Sequence, residues 1–216
     1  MKIGVFDSGV GGLSVANAIK KSFPKHQVLL RQDKANLPYG TKPPGLLKQL
    51  VLPFLIDLQK QGCSVIVVAC NTVTTTVISD LRSAIDITLV GIEPMIKPAG
   101  LMTKSRIIAV CATPATLNSQ RYADLKSQYA KDITVLEPDC SDWAHMIENN
   151  QSDHENIRQR ITEVCEQGAD VIVLGCTHYH WIEQYIKDIA AIYQAAVIQP
   201  EQAVLAQLKT VMKQCA

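Results

Sequence analysis

The chain has 216 residues, with 21 Lys and Arg against 20 Asp and Glu, a formal net charge of +1, and 47% hydrophobic residues. That near-neutral balance, with no block of like charges, gives no footing for a nucleic-acid surface or a polybasic membrane face, while the apolar share suffices to bury a core. No apolar run approaches bilayer-spanning length, and seven cysteines without a Cys-x-x-Cys pair make a poor disulfide framework and a poor structural zinc site.

In chain order, residues 2 to 6 read as a short buried strand. Asp7-Ser8-Gly9-Val10-Gly11-Gly12 then turns the chain into a helix beginning near Leu13, the opening of an α/β unit. Because the glycine loop breaks any signal-peptide pattern, a cytoplasmic location is expected. A second strand at 27 to 31 leads into a Pro- and Gly-punctuated loop from Asp33 to Gly40. Leu47, Leu50, Val51, Phe54, Leu55 and Leu58 then mark a helix over 45 to 61. Strand 65 to 69 delivers Cys70, a helix over 71 to 82 follows with threonines available to cap its start, and strand 88 to 92 reaches Glu93-Pro94. The second half repeats this rhythm with strand 106 to 111, loop 112 to 116, helix 117 to 130 and strand 133 to 136. A polar stretch at 137 to 154, a helix at 155 to 167 and a strand at 171 to 175 then lead to Cys176. The last segment, 196 to 216, reads as one strand and one helix crossing back onto the first half.

The rhythm is a true repeat. Gln61-Gly62-Cys63-Ser64-Val65-Ile66-Val67-Val68-Ala69-Cys70-Asn71-Thr72 parallels Gln167-Gly168-Ala169-Asp170-Val171-Ile172-Val173-Leu174-Gly175-Cys176-Thr177-His178, and the glycines and the final cysteines both stand 106 positions apart. The expected fold is α/β, with two pseudo-symmetric lobes of mostly parallel sheet covered by helices and an active site in the cleft between them. Residues 1–95 plus 196–216 form the first lobe with Asp7 and Cys70, and 96–195 form the second with Cys176 and His178. Ligands of such sheets bind beyond the carboxyl ends of the strands, where Asp7, Cys70, Thr113 and Cys176 fall.

Two equivalent thiols facing each other suit two-sided chemistry, in which one group removes a proton from one face of a carbon and another returns a proton to the opposite face. Each cysteine just precedes a predicted helix, whose N–H groups favour an anion. Cys63, Cys111, Cys140, Cys165 and Cys215 read as inert buried residues. The His178-x-His180 pair lacks a third well-spaced ligand, so no metal is expected. The Gly9-x-Gly11-Gly12 loop lacks the full dinucleotide pattern.

Phe6-Asp7-Ser8-Gly9-Val10-Gly11-Gly12-Leu13-Ser14-Val15, Pro38-Tyr39-Gly40, Ala69-Cys70-Asn71-Thr72, Glu93-Pro94, Lys97-Pro98-Ala99 and Gly175-Cys176-Thr177-His178-Tyr179 closely resemble, in order, the motifs of the cofactor-independent glutamate racemases of the aspartate/glutamate racemase superfamily. The resemblance implies that Cys70 and Cys176 are paired acid/base groups, with Asp7 and His178 as their polar partners. It implies substrate binding by Ser8, Tyr39, Gly40, Asn71, Thr72 and Thr177, with Thr113 and Thr116 contributing from the second half. Aligning Cys140 to Glu148 with the family's corresponding loop adds Glu148 near the second thiol. Glutamate as a small-molecule substrate, no cofactor, a homodimer and supply of D-glutamate for peptidoglycan are further implications.

The chain departs from that pattern at His180, where proline commonly follows, at Pro43-Pro44, and in having 40 residues after Cys176, fewer than such proteins usually carry. Two other readings therefore stand beside glutamate racemisation. One is an aspartate or broad-specificity amino-acid racemase, and the other a catalytically weak relative that binds an acidic metabolite or a protein partner.

Overall fold

The computed structural model describes residues 1–151 and 153–214; Cys215 lies outside them. The first half runs β1 (Lys2–Asp7), α1 (Gly11–Ser22), β2 (Gln27–Gln32), α2 (Pro44–Lys60), β3 (Cys63–Val68), α3 (Asn71–Ala84) and β4 (Thr88–Gly91). The second continues α4 (Ile96–Met102), β5 (Ile107–Cys111), α5 (Pro114–Leu117), α6 (Gln120–Tyr129), β6 (Thr134–Leu136), α7 (Trp143–Glu148), α8 (His154–Glu166), β7 (Val171–Leu174), α9 (Glu183–Ile192), β8 (Ala196–Ile198) and α10 (Glu201–Gln214). Short 3-10 turns cover Lys34–Asn36, Tyr39–Thr41 and Thr177–Ile182.

Both sheets are parallel, with the same strand order: β2-β1-β3-β4 in the first lobe and β6-β5-β7-β8 in the second. Continuous apolar runs such as Val65-Ile66-Val67-Val68 require cover on both faces. In the first lobe α2 and α3 supply it on one side through Leu47, Val51, Leu55, Val73 and Leu81. On the other side α1 and α10 supply it through Val15, Ile19, Val204 and Leu208. In the second lobe, Trp143, Ile161 and Ile186 of α7, α8 and α9 pack one face, and Ile96, Tyr122 and Leu125 of α4 and α6 pack the other. Gly62 and Gly168, 106 positions apart, both turn into a central strand at positive φ, +80° and +92°, where a side chain would strain the backbone. The repeat is thus conformational as well as chemical.

Four local expectations are corrected. The helix expected over 117 to 130 is broken at Asn118-Ser119, because the Ser119 hydroxyl accepts the Tyr122 N–H and starts α6 afresh. The polar stretch 137 to 154 contains α7, whose buried Trp143 and Ile147 stand one turn apart. The threonines of α3 do not cap its start, since Thr75 and Thr76 donate back to the Asn71 and Thr72 carbonyls. Finally, residues 196–216 do not all return to the first lobe. β8 pairs with β7 at the edge of the second sheet, as the crossover through α9 dictates, and α10 alone carries Val204 and Leu208 onto the first.

Candidate active site

In each sheet the strand order reverses between two neighbouring strands, β1 and β3 in one and β5 and β7 in the other, and such a switch point opens a crevice at the strands' carboxyl ends. The sequence places Asp7-Ser8 at the end of β1, Cys70 after β3, Thr113 after β5 and Cys176 after β7. Parallel pairing therefore delivers all four to facing edges of the two lobes. A cavity of about 250 Å³ lies there, lined by Ser8, Tyr39, Gly40, Cys70, Asn71 and Thr72 of the first lobe and Thr113, Glu148, Cys176, Thr177 and His178 of the second. It is smaller than the roughly 300–1,000 Å³ clefts of drug-sized ligands and suits a small metabolite. A larger cavity of about 460 Å³, bounded by Arg82, Glu93, Arg121 and Val204, touches neither thiol.

The second-lobe thiol ends a relay. Cys176 Sγ is 3.8 Å from His178 Nδ1, and His178 Nε2 is 2.8 Å from Glu148 Oε2, which also accepts the Val10 N–H at 2.9 Å. Burial opposes charge on His178, but Cys176 and Glu148 outweigh it and push its pKa up to about 10, so the imidazole is protonated at neutral pH. Burial alone would raise the Glu148 carboxyl; hydrogen bonds from His178 and Val10 overcome it and hold the group below its ordinary range. Glycine makes this approach possible. A Cβ on Gly9 would lie 2.5 Å from Glu148 Oε2 and 2.6 Å from His178 Nε2, and one on Gly11 would strike Thr177 Oγ1.

The first-lobe thiol sits in a different field. Cys70 Sγ is 3.7 Å from Ser8 Oγ. Burial and then the charge of Asp7 push its pKa up to about 12, against the Val73 N–H at the start of α3 and the Ser8 hydroxyl, so it rests as a thiol. Asp7 lies one step behind the cavity wall, fully buried, and accepts hydrogen bonds from Thr177 Oγ1 and the Gly9 N–H, each at 2.8 Å. Burial raises its pKa to about 6, despite the charge of His178 and those two hydrogen bonds.

The remaining expected residues divide. Thr72 and Thr113 join across the lobes, Oγ1 to Oγ1 at 2.9 Å, and Thr113 donates at 3.1 Å to Thr116. Thr116 is wholly buried behind Thr113 and does not reach the cavity, so its contribution is to orient Thr113. The Tyr39 hydroxyl donates to buried Asp33 at 2.7 Å and is not free for a ligand. Asn71 lines the cavity with both amide atoms buried and without a hydrogen-bond partner in the protein. Such groups are normally satisfied, so Asn71 is an exception at the cavity wall. His178 and His180 diverge, the latter pairing Nδ1 with Ser14 Oγ at 2.8 Å, and no group of three metal-ligating side chains occurs among the described residues. Lys34, Ser141, His145 and Asn149 also line the cavity. They fall in loop and short-helix segments without periodicity, and only their proximity to Tyr39 and Glu148 in sequence hinted at them.

The family description Asp/Glu/Hydantoin racemase matches residues 13–208. The chain belongs to that family. As a member it is an isomerase, an amino-acid racemase. It is 38% identical to the glutamate racemase of Methylococcus capsulatus over 87% of this chain and 71% of that one. To the glutamate racemase of Pseudomonas entomophila it is 36% identical over 97% and 81%. The crystal structure of Escherichia coli glutamate racemase with L-glutamate and the activator UDP-MurNAc-Ala superposes with a TM-score of 0.89 at 25% identity, covering 98% of this chain and 82% of that one. The two-lobed α/β architecture read from the repeat is the architecture of these relatives.

Proposed function

We propose that the protein interconverts L- and D-glutamate by transferring protons at Cα between two thiols. The observation that carries this reading is that Cys70 and Cys176, ending equivalent strands of opposite lobes, line one small cavity. In the L-to-D direction, Cys176 acts as base. Protonated His178, held by Glu148, is the counter-ion of its thiolate, and Cys70, resting as a thiol, returns a proton to the opposite face. In the reverse direction the roles exchange.

An amino-acid α-proton is weakly acidic, so developing charge has to be stabilised by donors in a site from which water is excluded. Asn71 and the hydroxyls of Ser8, Thr72 and Thr177 supply them. Tyr39 and Gly40 act through their backbone, and Thr113, steadied by Thr116, closes the second-lobe side. Asp7 orients Thr177 and takes up a proton near neutrality. The mechanism uses protein groups alone. In a bacterial cytoplasm it would supply D-glutamate for peptidoglycan. Circular dichroism of purified protein with each enantiomer tests the reading: optical activity should decay to zero from either side, and its persistence at high enzyme concentration would count against it.

A further inference from the structure

The cavity wall carries a charge that the proton transfers leave unused. His178 and Glu148 neutralise each other at 2.8 Å, and Ser8, Asn71, Thr72, Thr113 and Thr177 are uncharged. Lys34 also lines the cavity, and among the described residues it forms no ion pair, unlike Lys126 with Glu137 or Lys187 with Glu183. Its turn is fixed in place. Asn36 Nδ2 donates to both oxygens of buried Asp33, at 2.8 and 2.9 Å, and the Tyr39 hydroxyl donates to the same carboxylate. The backbone at Lys34 thus lies in the turn whose Asp33 network also holds Tyr39. Its charge reaches across the cleft, for it is one of the groups that hold the Glu148 carboxyl low, after the His178 and Val10 hydrogen bonds have offset burial.

We infer that Lys34 is the specificity-determining cation that selects an acidic side chain on the substrate, by attracting its distal carboxylate at the mouth of the cleft. The inference rests on the racemase reading above and names the substrate class of the same site. In a free amino acid the α-ammonium and α-carboxylate cancel. The hydroxyls and the Asn71 amide can each donate or accept and so can pair with a carboxylate or a carboxamide, and a positive charge held in no ion pair then favours the carboxylate. Lys34 is exposed, so the attraction is partly screened by solvent and by salt.

The test is calorimetric binding of L-glutamate and its neutral isostere L-glutamine to wild type, Lys34→Gln, Lys34→Arg and Lys209→Gln, the last removing an equal charge from α10. At low salt, Lys34→Gln should weaken glutamate by about 2- to 5-fold and leave glutamine nearly unaffected, the size expected of an exposed charge pair. Lys34→Arg should keep the preference, Lys209→Gln should not alter it, and about 0.5 M salt should shrink the difference. In steady-state racemisation the same variant should raise KM more than it lowers kcat. Equal weakening of both ligands, or glutamate binding at the wild-type Kd in Lys34→Gln, would overturn the assignment, as would a wild type that binds glutamate no better than glutamine. Because binding is read without turnover, a protein that binds glutamate selectively through Lys34 yet leaves its configuration intact would refute racemisation alone.

Discussion

His178 and Glu148 meet at 2.8 Å although they stand 30 positions apart, and the same Glu148 oxygen accepts the Val10 N–H from the other lobe. One carboxylate therefore both charges the imidazole beside Cys176 and ties the glycine loop of the first lobe to the relay of the second.

Removing that charge moves a proton equilibrium in a stated direction. In Glu148→Gln the His178 pKa should fall from about 10 toward its ordinary 6.5. The decline of kcat/KM at high pH should then begin at lower pH than in wild type. A loss of roughly 10- to 100-fold in kcat should accompany it, part of what acid/base positioning is worth. Glu148→Asp should recover some of both. A lower kcat with an unshifted alkaline limb would assign Glu148 a purely structural role.

Asp7 makes the opposite test, on stability. Its folded pKa, about 6, exceeds the ordinary 3.8, so it contributes stability that is fully present below pH 3.8 and is lost as pH rises through 6. Asp7→Asn removes that titration. The stability of wild type minus that of the variant should fall by roughly 3 kcal/mol between pH 3.5 and 7.5, at about 1.4 kcal/mol per pKa unit. Urea melts of both proteins across that range measure it, and a pH-independent difference would contradict the buried-carboxyl account.

The close approach of the lobes at the glycine loop predicts a contrast between two Gly→Ala changes. At Gly9 the new methyl would press on Glu148 and His178, whereas at Gly45, in the first turn of α2, it meets nothing within 4 Å. Gly9→Ala should fold but lose on the order of 100-fold in kcat, the scale of a 1 Å misplacement. Gly45→Ala should keep wild-type turnover and gain up to about 1 kcal/mol from helix propensity. Paired kcat and melting measurements decide, and equal turnover in the two variants would rule out the steric argument.

What the amino-acid order reveals here is what repeats. The 106-residue offset relates Gly62 to Gly168 and Cys70 to Cys176, and strand, turn and thiol all appear where that spacing puts them. Less legible was whatever depends on a single side chain choosing between partners. The Ser119 hydroxyl split one expected helix, Trp143 and Ile147 folded a stretch that is otherwise mostly polar, and β8 went to the nearest open sheet edge rather than following its helix. At the site, the motif residues do meet, but their ranks differ. Thr116 and Asp7 stand behind the wall, the Tyr39 hydroxyl belongs to Asp33, and Lys34 and His145 reach the cavity from segments without periodicity. Burial and pairing of that kind are set by tertiary contacts, which spacing along one chain does not encode.

The claim that Cys70 and Cys176 serve opposite faces of Cα is tested most directly by proton NMR of L- and D-glutamate in deuterated water with wild type, Cys70→Ser and Cys176→Ser. Wild type should place deuterium at Cα while inverting either enantiomer. Each serine variant should lose inversion by roughly 100- to 10,000-fold, since a hydroxyl is a far poorer base at neutral pH. Any residual exchange should be confined to L-glutamate in Cys70→Ser, where Cys176 survives, and to D-glutamate in Cys176→Ser. Inversion at the wild-type rate in both serine variants would contradict the two-thiol account, and equal exchange of both enantiomers in either one would contradict the assignment of faces.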